Sequence, residues 1–279
     1  MLTPGSLLSR DHDGVRTLTL NRPHRKNAID AELWQALADA LRAAAADRAV
    51  RALVLTGSGG AFCSGADISV PDNGHPIYRM RALTDVALLL HELPMPTVAK
   101  VTGVAVGAGW NLALGCDLVV ATPESRFSQI FARRGLSLDL GGSWLLPKLV
   151  GLQQAKRLAL LGEMIDAEQA RDLNLVTWVI PADEIDSYVT DLATRLAAGP
   201  PVALAQTKAL LNAGADHTLR EALAGEAAAQ GLNFATSDAP EAFAAFAEKR
   251  EPQFDGRWTV HRPPIRDADR SEKGSTADA

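Results

Sequence analysis

The stretch TVAKVTGVAVGAGWNLALGCDLVVA, residues 97–121, contains the full pattern on which the fold prediction rests. TVAKVTG has the apolar, β-branched character of a strand, VGAGWNLALG is typical of a glycine-rich turn that opens a helix, and CDLVVA resembles a second strand. Four glycines, an asparagine and an aspartate interrupt the apolar residues, so the stretch is not a membrane span. The order strand, turn, helix and strand predicts an α/β fold.

The same order recurs on the N-terminal side. VRTLTL alternates and is β-branched, and ALVLTG is a short apolar strand of the kind buried on both faces. Between them the basic loop NRPHRKNAID ends in Asp30, which can cap the helix AELWQALADALRAAAA. The predicted elements are strands at 15–20 and 52–57 and helices at 31–46 and around 76–92.

The character of the chain changes after about residue 195. The following residues are rich in Ala and Glu and are predicted to be helical, with a Pro-Pro pair at 200–201 near the junction. The final residues are polar without apolar periodicity, which is typical of a disordered tail. We therefore divide the chain into an α/β core at 1–195, a helical region at 196–258 that is expected to make subunit contacts, and a tail at 259–279.

The composition excludes several classes of protein. The 279 residues carry a formal net charge of −5, which disfavours general nucleic-acid binding because that depends on clustered Lys and Arg. The two cysteines form no CxxC pair, so we expect neither a disulfide framework nor a zinc site, and a reducing cytoplasm fits best. The N-terminus lacks the features of a signal peptide, and no membrane association is expected.

Two glycine-rich turns could bind a ligand through the backbone. They are AFCSGADI, residues 61–68, and GVAVGAGWNLA, residues 103–113, and each follows an apolar strand. The backbone N–H groups at the start of a helix are unpaired and lie at the positive end of its dipole, so they can bind a phosphate or an oxyanion. The alternative is that both are only tight strand-to-helix turns. Neither matches the P-loop or the dinucleotide-binding pattern.

The chain resembles the crotonase family, the enoyl-CoA hydratase/isomerase superfamily. The resemblance rests on NRPHRKNAID, AFCSGADI, VTGVAVGAGWNLALGCDLVVA, the run from PKLVG to DLNLV, and AFAEKREPQF, in the family's order from about residue 10 to 257. It implies a spiral of ββα units, a C-terminal helical trimerisation region, and a trimer or dimer of trimers. It also implies an acyl-coenzyme A thioester as substrate, with no separate cofactor because coenzyme A is part of the substrate.

The resemblance also implies site residues. Two backbone N–H groups polarise the thioester carbonyl in this family, and they fall on Ala66 and Ala108. Ala108 often corresponds to Gly in the family, a change that keeps the backbone donor. Contacts with the substrate or its coenzyme A are implied for the basic loop, the first turn and the C-terminal helix. For the basic residues the alternative is that their side chains are merely solvated. For Asp67 the alternative is that it only shapes the turn. The residues with implied contacts are Arg25, Lys26, Ala28, Ser64, Asp67, Ile68, Phe246 and Lys249.

Departures from the family pattern bear on the reaction. A typical hydratase of this family holds a water between two glutamates, whose positions here are Asn111 and Phe131. Neither residue is acidic, although adding water across a double bond needs a general base and a general acid. Ordinary two-glutamate hydration is therefore not expected. Phe131 and Trp110 could line an apolar acyl pocket, or they could simply be packed in the core.

One carboxylate offers a different chemistry. In GLSLDLGGSW, residues 135–144, Asp139 falls where several isomerases of the family carry a catalytic Asp, among them dienoyl-CoA isomerases and the ring isomerase of the phenylacetate pathway. An apolar setting raises the pKa of a carboxyl, which suits a base that removes and returns a proton. The alternative is that Asp139 caps the helix that follows.

The sequence thus favours an enoyl-CoA isomerase in which Ala66 and Ala108 hold the thioester oxygen and Asp139 moves the proton. A hydratase with a water held by Asn111 and Asp139 is the first alternative, and Asn111 is expected to contact the substrate. A non-catalytic acyl-CoA-binding scaffold is the second. A dehalogenase with a nucleophilic Asp is the third, although no His is placed to activate its hydrolytic water. Cys63 lacks an activating His and is interpreted as a small buried hydrophobe.

Overall fold

A computed structural model describes residues 5–69 and 75–259. Within them, six strands form one twisted sheet in the order β1-β2-β3-β4-β6-β9, in which only the β1–β2 pair is antiparallel. A second, small sheet has the order β5-β7-β8. The strands are β1 (Leu7–His12), β2 (Val15–Leu20), β3 (Ala52–Gly57), β4 (Thr97–Val101), β5 (Val104–Val106), β6 (Leu118–Ala121), β7 (Arg126–Ser128), β8 (Ile165–Asp166) and β9 (Trp178–Val179).

Within the described residues, five α-helices lie between strands along the chain, and four follow the last strand. Two short 3₁₀ helices, Pro23–Arg25 and Ile130–Arg134, lie in loops. The α-helices are α1 (Ala31–Ala46), α2 (Pro76–His91), α3 (Ala108–Leu114), α4 (Gly142–Leu161), α5 (Ala167–Asp172), α6 (Ile185–Ala198), α7 (Pro201–Gly214), α8 (Leu219–Phe234) and α9 (Asp238–Glu248).

The predicted α/β fold is confirmed, and several elements have the predicted bounds. β2, β3 and α1 begin and end where their patterns place them, and α2 ends one residue earlier than expected. Asp30 caps α1, because its side chain accepts a hydrogen bond from the Leu33 amide at 3.0 Å. β1 was not predicted; it is an edge strand, largely exposed, so it shows little apolar alternation.

The core has a layer on each face of the large sheet. On one face the main core contains Leu33, Leu37 and Leu41 of α1 with Leu53 and Leu55 of β3. On the other face a smaller core joins one valine from each of three neighbouring strands to apolar residues of α6: Val54, Val98, Val120, Ile185, Val189 and Ala193. β3 is therefore buried on both faces, as its apolar sequence predicted.

The C-terminal helices α7, α8 and α9 contact the core through polar side chains of α7. Lys208 Nζ lies 2.9 Å from Asp117 Oδ2, and Asn212 Nδ2 donates to the carbonyl of His91 at 3.4 Å. Many large apolar side chains of these helices are exposed: Leu211, Leu219, Leu223, Leu232, Phe234, Phe243 and Phe246. The division at 195 stays a prediction, and the tail predicted at 259–279 lies, from residue 260, outside the described residues.

None of the helices in the described part of the chain combines the length and apolarity needed to cross a bilayer.

Candidate active site

The two glycine-rich turns pack backbone against backbone. The Cys63 amide donates to the carbonyl of Val104 at 3.0 Å, and the Val106 amide donates to the carbonyl of Cys63 at 2.9 Å. A Cβ at Gly109 would lie 2.4 Å from the Cys63 carbonyl oxygen, so only glycine allows α3 to approach this closely. The contact places Ala66 of the first turn and Ala108 of the second along one cavity.

The backbone amides of Ala66 and Ala108 are available to a ligand. Ala108 is the first residue of α3, where an amide has no partner within the helix. Throughout residues 5–69 and 75–259, neither amide donates to a backbone acceptor, whereas the neighbouring Asp67 amide bonds to the carbonyl of Ile29. The two amides could therefore donate together to one developing oxyanion.

The cavity between these turns has a volume of about 700 Å³. Three arginines, Arg25, Arg79 and Arg134, contribute to its lining. Their charge suits an anionic group, and the apolar residues suit an acyl group. The apolar lining includes Ile68, Met80, Leu83, Ile130, Phe131, Leu136 and Leu138.

Asp139 also lines this cavity, and it does not cap the following helix. The N-cap of α4 is Gly141, which makes no side-chain capping bond, and Asp139 contributes only its backbone carbonyl, which accepts from the Gly142 amide at 2.9 Å. The capping alternative is therefore wrong. Leu140, with a φ of 47°, and Gly141, with a φ of 78°, turn the chain sharply after Asp139.

The carboxyl of Asp139 lies in the setting that a proton carrier needs. Its Oδ1 is buried and accepts no hydrogen bond from the described residues. Burial raises the pKa of Asp139 to about 6, against the opposing effects of the Arg79 charge and the Asn111 side chain. Near neutral pH this carboxyl can therefore both accept and return a proton.

Asn111 lies beside Asp139 and does not line the cavity. Its side chain is buried; Nδ2 donates to the carbonyl of Asp139 at 2.9 Å, and Oδ1 accepts from Gln129 Nε2 at 2.8 Å. The expected substrate contact of Asn111 is therefore not supported, because both ends of its amide already have protein partners. Gln129 was not predicted to be a site residue. The one feature of the sequence that could have indicated it is its place in the segment FSQIF.

The first basic loop and the first glycine-rich turn are held together. Ser64 Oγ donates to the carbonyl of Arg25 at 3.1 Å, and the Ser64 amide donates to the carbonyl of Lys26 at 3.0 Å. Arg25, Ala28 and Ser64 line the cavity as expected, whereas the exposed side chain of Lys26 does not. Asn27, which sequence reasoning missed, is fully buried, and its Nδ2 donates to the carbonyl of Ala61 at 2.7 Å.

Asp67 lines the cavity but has a structural role. Its carboxylate accepts from the amide and hydroxyl of Ser69 and pairs with Arg22 at 2.9 Å. The Ser69 hydrogen bonds and then the Arg22 charge lower the pKa of Asp67 to about 2. Arg22 also lies 3.0 Å from Asp30, so it links the basic loop, α1 and the first turn; sequence reasoning did not single it out. These contacts support a turn-shaping role for Asp67, and the substrate contact of Asp67 stays a prediction.

The aromatic and C-terminal candidates are placed as follows. Phe131 lines the cavity, but Trp110 is fully buried against Phe127, with ring centroids 5.4 Å apart, so for Trp110 the core-packing alternative holds.

Phe246 lies on α9 and Lys249 directly after it; both side chains are exposed, and neither lines this chain's cavity. Cys63 is buried, which raises the pKa of its thiol to about 12 and makes it inert.

Comparison with known proteins identifies the family. The family model described as enoyl-CoA hydratase/isomerase matches residues 10–257. A 1,2-epoxyphenylacetyl-CoA isomerase from Escherichia coli K12 is 37% identical over 90% of this chain and 98% of its own length. A 2,3-dehydroadipyl-CoA hydratase from the same strain is 36% identical over 87% of this chain and 96% of its own length.

Solved structures share the fold. An enoyl-CoA hydratase from Mycobacterium smegmatis superimposes with a TM-score of 0.84 at 35% identity, and the match covers 90% of this chain and 99% of that one. Relatives with both isomerase and hydratase names therefore share the architecture, and the reaction has to be argued from the site.

Proposed function

This chain belongs to the enoyl-CoA hydratase/isomerase family of acyl-CoA enzymes, and from that premise we propose that it is an enoyl-CoA isomerase with Asp139 as its single proton carrier. One observation carries the proposal. Asp67 and Asp139 are the carboxylates among the described residues that line the cavity, and Asp67 is held by Ser69 and Arg22, whereas Oδ1 of Asp139 has no partner there.

The proposed reaction needs one base and two backbone donors. The amides of Ala66 and Ala108 bind the thioester oxygen of a β,γ-unsaturated acyl-CoA. Asp139 removes a proton from Cα, and the electron pair of the C–H bond delocalises into the adjacent thioester carbonyl, which gives a dienolate whose oxygen the amides stabilise and whose Cγ is nucleophilic. Asp139 then returns the proton to Cγ, which leaves the double bond between Cα and Cβ.

The acyl part of the substrate is proposed to be apolar. Phe131, Leu138 and Met80 line the cavity together with Asp139, and apolar walls favour an acyl chain or ring without charge. The arginines of the lining, Arg25 and Arg134 among them, are proposed to face the phosphates of coenzyme A. The relative named 1,2-epoxyphenylacetyl-CoA isomerase supports an isomerase that accepts a ring.

The assembly remains part of the proposal. A trimer or a dimer of trimers would bury the exposed apolar residues of α8 and α9, and it could bring Phe246 and Lys249 to the coenzyme A of a neighbouring subunit. A cytoplasmic location belongs to the same proposal, since Cys63 and Cys116 are both free thiols.

NMR in D₂O tests the reaction directly. A β,γ-unsaturated acyl-CoA is incubated with the wild-type protein, with Asp139→Asn, and with Asp172→Asn, which alters an exposed carboxylate on α5. We expect the wild type and Asp172→Asn to form the α,β-isomer with isotope exchanged at Cα or Cγ, and Asp139→Asn to be slower by about 10²- to 10⁴-fold.

Two outcomes contradict the proposal. Conversion of an α,β-unsaturated acyl-CoA to 3-hydroxyacyl-CoA, with no reaction of the β,γ-isomer, would establish a hydratase that activates water without the two glutamates. Binding of acyl-CoA without turnover, unchanged by Asp139→Asn, would establish a scaffold.

A further inference from the structure

The short helix α3 carries two features of the site one turn apart. Its first residue, Ala108, supplies one of the amides that face the cavity, and Asn111 follows three residues later, so its side chain leaves the helix one turn further on. Asn111 is 1% exposed and points toward the segment that carries Asp139. Anything that fixes Asn111 therefore also fixes the distance between Asp139 and the Ala108 amide.

Asn111 holds the turn that follows Asp139. Its Nδ2 donates to the Asp139 carbonyl, which also accepts from the Gly142 amide, so two donors define the orientation of this peptide group. A Cβ at Gly142 would lie 2.5 Å from Asn111 Nδ2, so the turn is packed directly against the amide. The carboxyl of Asp139 is thus held through its own backbone.

The Asp139 carbonyl and Gln129 Nε2 together fix which way the Asn111 amide faces. An asparagine amide can rotate by 180° and exchange its donor and acceptor. Gln129 Nε2 donates to Asn111 Oδ1 at 2.8 Å, which leaves Nδ2 facing the Asp139 carbonyl, where an oxygen would be repelled. Gln129 is fully buried and its Oε1 accepts no bond from the described residues, so its contribution here is the Nε2 donor.

We propose that Gln129 and Asn111 are positioning residues that set the place of Asp139 relative to the Ala108 amide. Gln129 does not line the cavity, and it acts on the reaction only through Asn111. The proposal deepens the isomerase function above and rests on it. Because neither side chain faces the acyl group, they affect the chemical step and leave the affinity for the substrate nearly unchanged.

The test uses two substitutions and their combination. Gln129→Met keeps the length of the side chain and removes its donor, and Asn111→Ala removes the link to Asp139. We expect each single variant to lower kcat by about 10- to 100-fold, as a small misplacement of a catalytic group does, with KM within about twofold of wild type. The double variant should be no slower than Asn111→Ala, because Gln129 acts only through Asn111.

A pH profile separates positioning from a general loss of stability. Because burial is the main reason for the raised pKa of Asp139, displacement toward solvent in Gln129→Met, which keeps Asn111, should shift the acidic limb of the kcat profile to lower pH. The control is Ser125→Ala, which removes a buried hydroxyl that donates to the Val101 carbonyl at 3.0 Å. We expect this variant to lower the Tm and to keep the kcat and the pH profile of the wild type.

The failures are distinguishable. Wild-type kcat and pH profile in Gln129→Met, or additive losses in the double variant, would overturn the positioning role while leaving Asp139 as the proton carrier. Full activity of Asp139→Asn would overturn the proposed function itself. If Gln129→Met does not fold, Asn111→Ser provides the same readout, and an unchanged kcat in that variant rejects the proposal.

Discussion

The carboxyl of Asp139 is largely buried, and its Oδ1 has no hydrogen-bond partner among the described residues. We therefore expect the activity of the enzyme to depend on pH. With a pKa of about 6, the carboxyl is largely ionised at pH 7.5 and largely protonated at pH 5. Since the base must be ionised to remove the first proton, we expect kcat/KM to be level above about pH 7 and to fall about tenfold per pH unit well below 6. Initial rates between pH 4.5 and 8 measure this, and preincubation at each pH controls for unfolding. A profile that stays level down to pH 4.5 would contradict the assignment.

The same carboxyl is expected to lower the stability of the folded protein. Its folded-state pKa, about 6, lies above the ordinary 3.8, so between these values the folded state binds more protons than the unfolded chain, and stability falls as the pH rises. Asp139→Asn should therefore raise the free energy of unfolding at pH 8, by about 3 kcal/mol at most. Urea unfolding at pH 8 and pH 4 measures this effect, which should disappear at the lower pH. A less stable variant at pH 8 would show that the ionised carboxylate has a stabilising partner.

Arg22 illustrates the opposite case, a charge that is nearly buried and paired. The side chain of Asp67 is 4% exposed and that of Arg22 is 14% exposed. Arg22→Met would leave the Asp67 carboxylate without its cation, and we expect a loss of about 3 kcal/mol in the free energy of unfolding. Arg42→Met is the matched control, because Arg42 pairs with Asp39 on the exposed face of α1 and should cost less than about 0.5 kcal/mol. An equal loss in the free energy of unfolding in both variants would show that the buried ion pair contributes no more to stability than the exposed one.

Some candidate site residues could be named from the sequence because a local motif carries them, and the resemblance to the family supplied their expected roles. Asp139 stands out as an acid between leucines, and Ala66 and Ala108 stand at glycine-rich turns. Asn111 and Gln129 could not be assigned their role, because their partners lie 28 and 18 residues away in the chain and no local spacing reveals such pairs.

At the scale of the element, the close approach of α3 to the first turn is open to a direct test. Gly109→Ala would place a Cβ 2.4 Å from the Cys63 carbonyl, so α3 must move, and the Ala108 amide must move with it. We expect a loss of more than about 2 kcal/mol in the free energy of unfolding together with a large loss of kcat. Gly231→Ala makes the same change in the exposed interior of α8, where nothing lies within 4 Å of the new Cβ. It should be stabilising by about 0.5–1 kcal/mol, because alanine favours helix. Equal activity in the two variants would mean that α3 tolerates displacement.

Elements that are buried on one or both faces could be predicted, and short or exposed ones could not. The apolar residues of α1 recur at helical spacing because one face of the helix is buried, and β3 is an apolar run because both of its faces are buried. β1 is exposed along most of its length, and β8 has two residues, so neither leaves a pattern in the sequence. Their places are determined by the strands with which they pair.

For the whole molecule, the exposed apolar residues of the C-terminal helices lead to a prediction of mass. Phe243 is 67% exposed and Phe246 is 87% exposed, and an isolated chain would keep both in water. We expect sedimentation equilibrium to give three or six times the chain mass of 29.6 kDa. Phe243→Asp should shift the distribution toward smaller species, whereas Leu8→Asp, on the exposed edge strand β1, should not. A monomer at micromolar concentration would contradict the proposed assembly.

The proposed use of backbone amides at Ala66 and Ala108 has a consequence for inheritance. A point mutation alters a side chain and leaves the peptide N–H in place, so the means of activating a thioester persists through changes that keep the turn folded. The proposed proton carrier, in contrast, is one side chain, Asp139, in the loop before α4, and a change in a single codon replaces it. Descendants of one ancestral gene can therefore exchange one reaction for another by changing that loop while they keep the same class of substrate.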